Sequence, residues 1–192
     1  MRHQLRPAAV TFAVLTAVLG VAYPLVVTGI SRLAFADKAG GSLVLRDGAA
    51  VGSRLVGQRF SAAGYFWTRP SATGPAPYNG EASSGSNLGP SNPVLRSNVA
   101  ERVRAIRAAE PDNARPVPVD LVTSSASGLD PHISLAAADY QVARVARERR
   151  LGESAVRELV KANSTGRTLG IMGEPVVNVL MLNLALDRLE GK

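Results

Sequence analysis

The apolar positions at the start of the chain run on without interruption: from Pro7 to Ser31 there is no Asp, Glu, Lys, Arg or His. The middle of that stretch, residues 8–30, counts 23 residues. At about 1.5 Å rise per residue it reaches roughly 35 Å, enough to cross a hydrocarbon layer about 30 Å thick with some tilt. It predicts one transmembrane helix. Within it Ala9, Ala13 and Ala17 recur at i, i+4 and i+8, and Thr16 lies four before Gly20. One side is thus lined by small residues that let another helix approach closely. Pro24 is expected to bend the helix where neighbouring helices satisfy the freed carbonyl.

Beyond the span the pattern breaks into shorter pieces. Residues 51–60 alternate enough to predict short strands with Leu55, Val56 and Phe60 toward a core. Tyr65, Phe66 and Trp67 stand together and predict a core corner. Residues 71–93 then change character, with Pro75, Pro77, Pro90 and Pro93 among Gly74, Gly80, Gly85 and Gly89. Because the turn formers are of different kinds rather than a Gly/Ser repeat, this is expected to be an ordered loop of successive turns and a recognition surface. A helix follows, with Asn92 as N-cap, Pro93 at its first position and Val99, Val103 and Ile106 on one face, ending before Pro111. Residues 117–122 (VPVDLV) predict a strand and 123–133 a second loop. The strongest periodicity runs from Ser134 to Arg150, with Leu135, Ala138, Val142 and Val145 on one side and Arg144, Arg147 and Glu148 on the solvated side. A short helix is expected over 154–162, a strand over 166–171, and a central helix, apolar almost all round, over 175–190.

The layout expected is a tail at 1–7, a transmembrane helix at 8–30, a linker at 31–42 and a globular domain at 43–192. The fold class is one N-terminal transmembrane helix followed by a single α/β (α+β) extracytoplasmic domain with a small sheet and several helices. A cleaved signal peptide competes, since Arg2 and Arg6 precede the apolar run and Ala34-Phe35-Ala36 resembles a cleavage site. Such peptides carry only about 7 to 15 apolar residues, which favours an uncleaved anchor. Lys and Arg flank both ends and do not orient the span. A six-residue tail before a long domain points to the N-terminus inside and the domain outside, because long domains cross largely regardless of charge.

Composition narrows the chemistry. The chain has 192 residues, a formal charge of +7 and no cysteine. Disulfides and thiolate chemistry are excluded. The positive surplus is spread along helices without a clustered stripe and stacking aromatics, which argues against nucleic acid as a partner. With two histidines, His3 in the tail and His132 in the second loop, a two-His metal site cannot form within one domain. A hydrolase built on a serine with Asp130 and His132 can be drawn within residues 124–134, but no G-x-S-x-G elbow occurs. The plainer reading has Asp130 opening a turn at Pro131 and Ser134 capping the next helix.

A nucleotide site is the other possibility. A strand at 117–122, a small-residue loop and a helix from Ser134 are in the right order for backbone N–H groups to hold phosphate. The candidates are Ser124, Ser125, Ser127 and Gly128 in the loop, with Gln141 to meet a base edge and Arg144 to pair a phosphate. Neither G-x-x-x-x-G-K-[ST] nor G-x-G-x-x-G is present. The plainer reading of Gln141 and Arg144 is a solvated helix face.

Several separated blocks resemble one family, the C subunit of the bacterial Kdp-type potassium-transporting ATPase. They are YFWTRPSA at 65–72, YNG at 78–80, GSNLGP at 85–90, VPVDLVT at 117–123, SGLDPHIS at 127–134, YQVARVA at 140–146 and GEPVVNVL at 173–180. Met172 stands where a Leu-like residue is more usual, a swap that packing tolerates. The resemblance implies an accessory subunit of a high-affinity, ATP-driven potassium uptake complex in the bacterial inner membrane. It has no chemistry of its own and is needed for assembly with a potassium-conducting subunit and an ATP-hydrolysing P-type subunit. It also implies a catalytic chaperone that raises the ATP affinity of the hydrolysing subunit, so ATP is shared with that subunit and potassium is the transported ion. An outside domain cannot itself reach cytoplasmic ATP, so the topology pulls against direct contact. The rival to this reading is a membrane-anchored extracytoplasmic hydrolase or binding domain using residues 124–134.

Overall fold

The computed structural model describes residues 2–190. Met1, Gly191 and Lys192, the outer limits of the expected tail and domain, lie outside the described residues. The described chain forms two compact units that part between Leu43 and Val44.

The first unit is helical. Helix α1 (Arg2–Ala17) passes through a π-helical turn (Val18–Ala22) into α2 (Tyr23–Ala34), and a short α3 (Ala36–Ala39) follows. From His3 to Ala34 this is one run of 32 residues, long and apolar enough to cross a membrane. Helix starts earlier than residue 8 because nothing before Pro7 breaks it. The wide turn has a local cause. Pro24 has no N–H and its ring would clash with the carbonyl one turn back, at Gly20. Five-residue spacing, seen where the Tyr23 N–H donates to the Val18 carbonyl, relieves that clash.

The second unit carries the core. A hairpin of β1 (Leu43–Arg46) and β2 (Ala49–Ser53) turns on Asp47 and Gly48, whose φ of 52° and 80° suit a two-residue turn. The strand expected over 51–60 therefore ends at Ser53, and the rest is irregular. Helix α4 (Pro93–Ala109) starts as its sequence dictates, with the Asn92 side chain accepting the Val94 N–H at 2.9 Å. The strand expected at 117–122 is instead a 3₁₀ turn, Val119–Leu121. Pro116 and Pro118 remove two ladder donors, and the chain closes locally through Leu121 N–H to Pro118 O at 3.1 Å. Strand β3 (His132–Ser134) leads directly into α5 (Leu135–Arg149), then come α6 (Glu153–Ala162) and β4 (Ser164–Thr165).

The stretch 166–171 is a tight turn closed between Thr168 and Met172, not a strand. The apolar segment from Pro175 splits into β5 (Val176–Asn178) and α7 (Val179–Glu190) because consecutive β-branched valines suit a strand and the Asn178 carboxamide then caps α7 at Met181 N. Strand β5 lies between β3 and β4, antiparallel to both, with Ile133 opposite Val177.

Packed on this small sheet, α5 and α7 form the core with Phe66, Ile106, Leu121, Val156 and Val160. Helix α5 is buried nearly all round. Arg147 and Glu148 face solvent as expected, but Arg144 does not: its side chain is 1% exposed. The reason is the segment 60–70, which lies over that face of the helix.

Candidate functional site

Residues 65–67 run through the domain without strand partners, and side chains supply the missing pairing. The Phe66 N–H donates to Asn183 Oδ1 at 2.9 Å while Asn183 Nδ2 donates to the Phe66 carbonyl at 3.0 Å. The Trp67 N–H donates to Gln141 Oε1 at 2.7 Å while Gln141 Nε2 donates to the Trp67 carbonyl at 3.2 Å. Two carboxamides on two helices thus act as a strand neighbour would, satisfying both backbone groups of one residue each.

Arg144 completes the arrangement. Its Nε meets Glu110 Oε1 at 3.1 Å, one Nη reaches the Tyr65 carbonyl at 2.9 Å and that of Ala63, and the other reaches Gln141 Oε1 at 2.6 Å. The guanidinium carbon lies 4.4 Å above the Trp67 ring. Burial pulls the Arg144 pKa below the ordinary value and Glu110 opposes that pull. The aromatic triplet is therefore a core corner with Phe66 fully buried, and its flanking rings lie under arginines, Arg149 standing 4.5 Å over Tyr65.

The serine loop lies elsewhere. Ser125 Oγ accepts the Gly128 N–H at 2.9 Å, and Ser127 Oγ accepts the Leu129 N–H at 3.2 Å. The backbone is tied to the long loop: Ser84 N–H donates to Ser127 O at 3.0 Å, Ser71 Oγ to Gly128 O at 2.7 Å, and Arg69 reaches Ser124 O at 3.5 Å. Gly128 is required there. Its φ is 67°, and a Cβ would come within 2.5 Å of the Ser84 carbonyl. The 71–93 loop is ordered by such contacts and by its own hydroxyls, with Ser71 Oγ accepting the Tyr78 N–H at 2.9 Å.

The six nucleotide candidates are thus not brought together. Ser125 and Ser127 border a shallow depression with Asp130, whereas Gln141 sits at the floor of a separate cleft and Arg144 lies behind it. The strand, loop and helix order that motivated them is absent. At the start of α5 the Asp120 carboxylate already accepts the Ser134 N–H at 2.7 Å, and Ser134 Oγ accepts that of Ala137 at 3.0 Å. A carboxylate occupies the place a phosphate would take. Asp130 and His132 form a local turn, with Asp130 Oδ1 accepting the His132 N–H at 3.0 Å, and among the described residues no serine hydroxyl bonds to His132. No group of three His, Cys, Asp or Glu suited to a metal occurs among the described residues.

Three carboxylates in ion pairs give a pH dependence, and the most exposed of them, Asp139, is held down by hydrogen bonds from Arg115 at 2.7 Å and Arg157 at 3.2 Å. Burial raises Asp130, but hydrogen bonds from His132 and the charge of Arg69, 3.2 Å away, bring it net below the ordinary value. Asp187 behaves alike: burial raises it, and bonds to Arg149 at 2.9 Å, Tyr65 and Arg46 at 3.0 Å outweigh burial. A depressed folded pKa contributes stability that is full above the unfolded value, about 3.9, and is lost as pH falls through the folded value. The melting temperature of the chain in detergent should change little from pH 7 to about pH 5 on account of these groups, then drop below about pH 4. Asp187→Asn should flatten that acid limb, and an unaltered limb would show that the pairs do not govern it.

The described chain thus joins one N-terminal helix long and apolar enough to cross a membrane to a domain whose buried Gln141, Arg144 and Asn183 side chains hold the backbone of residues 63–67. A family model described as "K+-transporting ATPase, c chain" matches residues 5–188. The chain is 61% identical over 190 residues to the potassium-transporting ATPase KdpC subunit of Polaromonas naphthalenivorans (99% of this chain, 97% of the relative). It is 60% identical over 187 residues to that of Sorangium cellulosum (97% and 98%), and 57% identical over 187 residues to that of Dechloromonas aromatica (97% and 98%). The chain belongs to the KdpC family.

Proposed function

We propose that this chain is an accessory subunit of an ATP-driven potassium uptake complex, held in the bacterial inner membrane by one span with its N-terminus inside and its domain outside. Its partners are the potassium-conducting subunit and the ATP-hydrolysing P-type subunit, and it carries out no chemistry itself. The observation behind this reading is similarity over almost the whole length to potassium-transporting ATPase KdpC subunits. The span docks through its small-residue side, and the ordered loop 71–93 offers the domain a contact surface. Any rise in the ATP affinity of the hydrolysing subunit is exerted through the assembled complex. Support for that indirect route comes from Gln141 and Arg144, whose hydrogen-bonding groups are already occupied by Trp67, Glu110 and the backbone.

Affinity purification of the tagged chain from native membranes tests the reading. Two larger membrane subunits should come with it, and adding this chain back to a pump that lacks it should raise the apparent ATP affinity. Phenylalanine at both Ala13 and Ala17 should lower recovery of the larger subunits by about tenfold, the effect of about 1.4 kcal/mol. The same change at Leu15 and Leu19, on the opposite side, should leave it within about twofold. Equal losses on the two sides would remove the small-residue side as the docking element. A C-terminal reporter active only in the cytoplasm would overturn the topology.

A further inference from the structure

The cleft above Gln141 has a volume of about 420 Å³ and is bounded by Trp67, Tyr78, Arg59, Arg69 and Arg102. Its floor has no free polar group to offer. Gln141 uses both its oxygen and its nitrogen on Trp67, and Glu110 accepts from Arg144 and, at 2.9 Å, from Asn113. The cations of the walls are different. Arg69 pairs with Asp130 through Nη1, yet its Nε is buried without a hydrogen-bond partner. Arg102 donates to the Val122 carbonyl at 3.0 Å and has no ion pair among the described residues. Arg59 is exposed and has neither a hydrogen bond nor an ion pair among the described residues. Arg59 and Arg102 line the same cleft as Tyr78, and the charges of both act on its hydroxyl. Burial lowers the Arg102 pKa and the charge of neighbouring Glu101 opposes that only in part, without a salt bridge between the two among the described residues.

We infer that the cleft receives a carboxylate side chain, an Asp or Glu presented by a partner subunit of the complex, between Arg59 at the mouth and Arg102 on the wall. This rests on the accessory-subunit reading above. An acceptor arriving there would give the guanidinium forks of Arg59 and Arg102 charge-assisted hydrogen bonds. The position of the unused groups argues for a protein side chain over a small free anion. A small ligand is fixed by convergent polar groups in the depth of its pocket, whereas here Gln141 and Glu110, 1% and 4% exposed, are already bonded within the domain and the uncommitted charge is that of exposed Arg59. A side chain entering from a docked surface meets the rim first, where charge complementarity governs encounter and register.

The test uses the full chain co-expressed with the pump. Arg59→Glu touches no internal bond, so its Trp67 fluorescence melt should match the unsubstituted chain, while recovery of the larger subunits should fall about tenfold or more. Arg59→Lys should retain most of the recovery. Unchanged recovery in Arg59→Glu and in Arg102→Gln would overturn the inference. A second arm heats the detergent-solubilised chain alone with sodium phosphate or sodium succinate. A rise in melting temperature that Arg59→Glu abolishes, with recovery of the complex intact, would make the occupant a free anion and overturn partner docking. Failure of the unsubstituted chain to recover the larger subunits would refute the accessory reading itself, and is told apart by that control.

Discussion

Arg144→Met should destabilise the domain by about 3–5 kcal/mol, the cost of removing one member of a buried ion pair. Methionine keeps most of the stem volume, so the loss is electrostatic rather than a cavity. It strands Glu110, whose side chain is 4% exposed, beside the carbonyls of Ala63 and Tyr65. A lysine at this position would retain the charge but could not reach a carboxylate, two carbonyls and a carboxamide at once, so Arg144→Lys should recover only a minor part. Adding Glu110→Gln to Arg144→Met should cost less than the sum of the single changes, because the neutral side chain no longer leaves a buried charge unpaired. The chain has one tryptophan, Trp67, stacked under this guanidinium, so urea unfolding followed by its fluorescence reads the site directly. A loss under about 1 kcal/mol would mean that water reaches Glu110 and that the pair is not buried in solution. Against a total stability of about 5–15 kcal/mol for a domain, the expected loss is enough to deplete the protein from cells at 37 °C.

The same residue shows where sequence reading stopped. Periodicity places Arg144 on the side of α5 opposite Leu135, Ala138, Val142 and Val145, and from that pattern alone a charged side reads as solvated. What covers it is residues 60–70, some 80 positions earlier, with Arg144 bonded to Tyr65 at a separation of 79. No local signal carries that contact. Gln141 was legible in one respect: its value lay in offering a donor and an acceptor together. The group that uses both is the Trp67 backbone rather than a nucleotide base. Elements set by local rules came through intact: the uncharged span, the Asn92-Pro93 start of α4 and the Ser134 cap of α5. Asp47-Gly48 is an equally local hairpin signal. Residues 117–122 misled because alternating valines and leucine look like a strand to any window that underweights two prolines, and the 3₁₀ turn they form serves instead to bring Asp120 to the start of α5.

Asn183→Leu tests the pairing by carboxamides at its most buried point. Asn183 is 1% exposed and Phe66 0%, and water has no route to the backbone groups that the side chain satisfies. Leucine fills similar space but leaves the Phe66 N–H and C=O both unpartnered, each at about 1–3 kcal/mol, for an expected loss of about 2–6 kcal/mol by urea unfolding. Asn183→Asp separates donor from acceptor. The ionised side chain still accepts from the Phe66 N–H but sets a negative oxygen against the Phe66 carbonyl, so it should be the worse variant at pH 7. In a site this buried the carboxyl should hold its proton well above the usual carboxylate range. A protonated carboxyl accepts and donates at once, as the native amide does. The deficit of Asn183→Asp relative to the native chain should therefore shrink as pH falls toward 5, the sign expected of a group whose folded pKa is raised. Asn183→Leu should show no such recovery. If both variants instead unfold within about 1 kcal/mol of the native chain, the segment 65–67 is held by its aromatic packing, and the carboxamides are incidental to it.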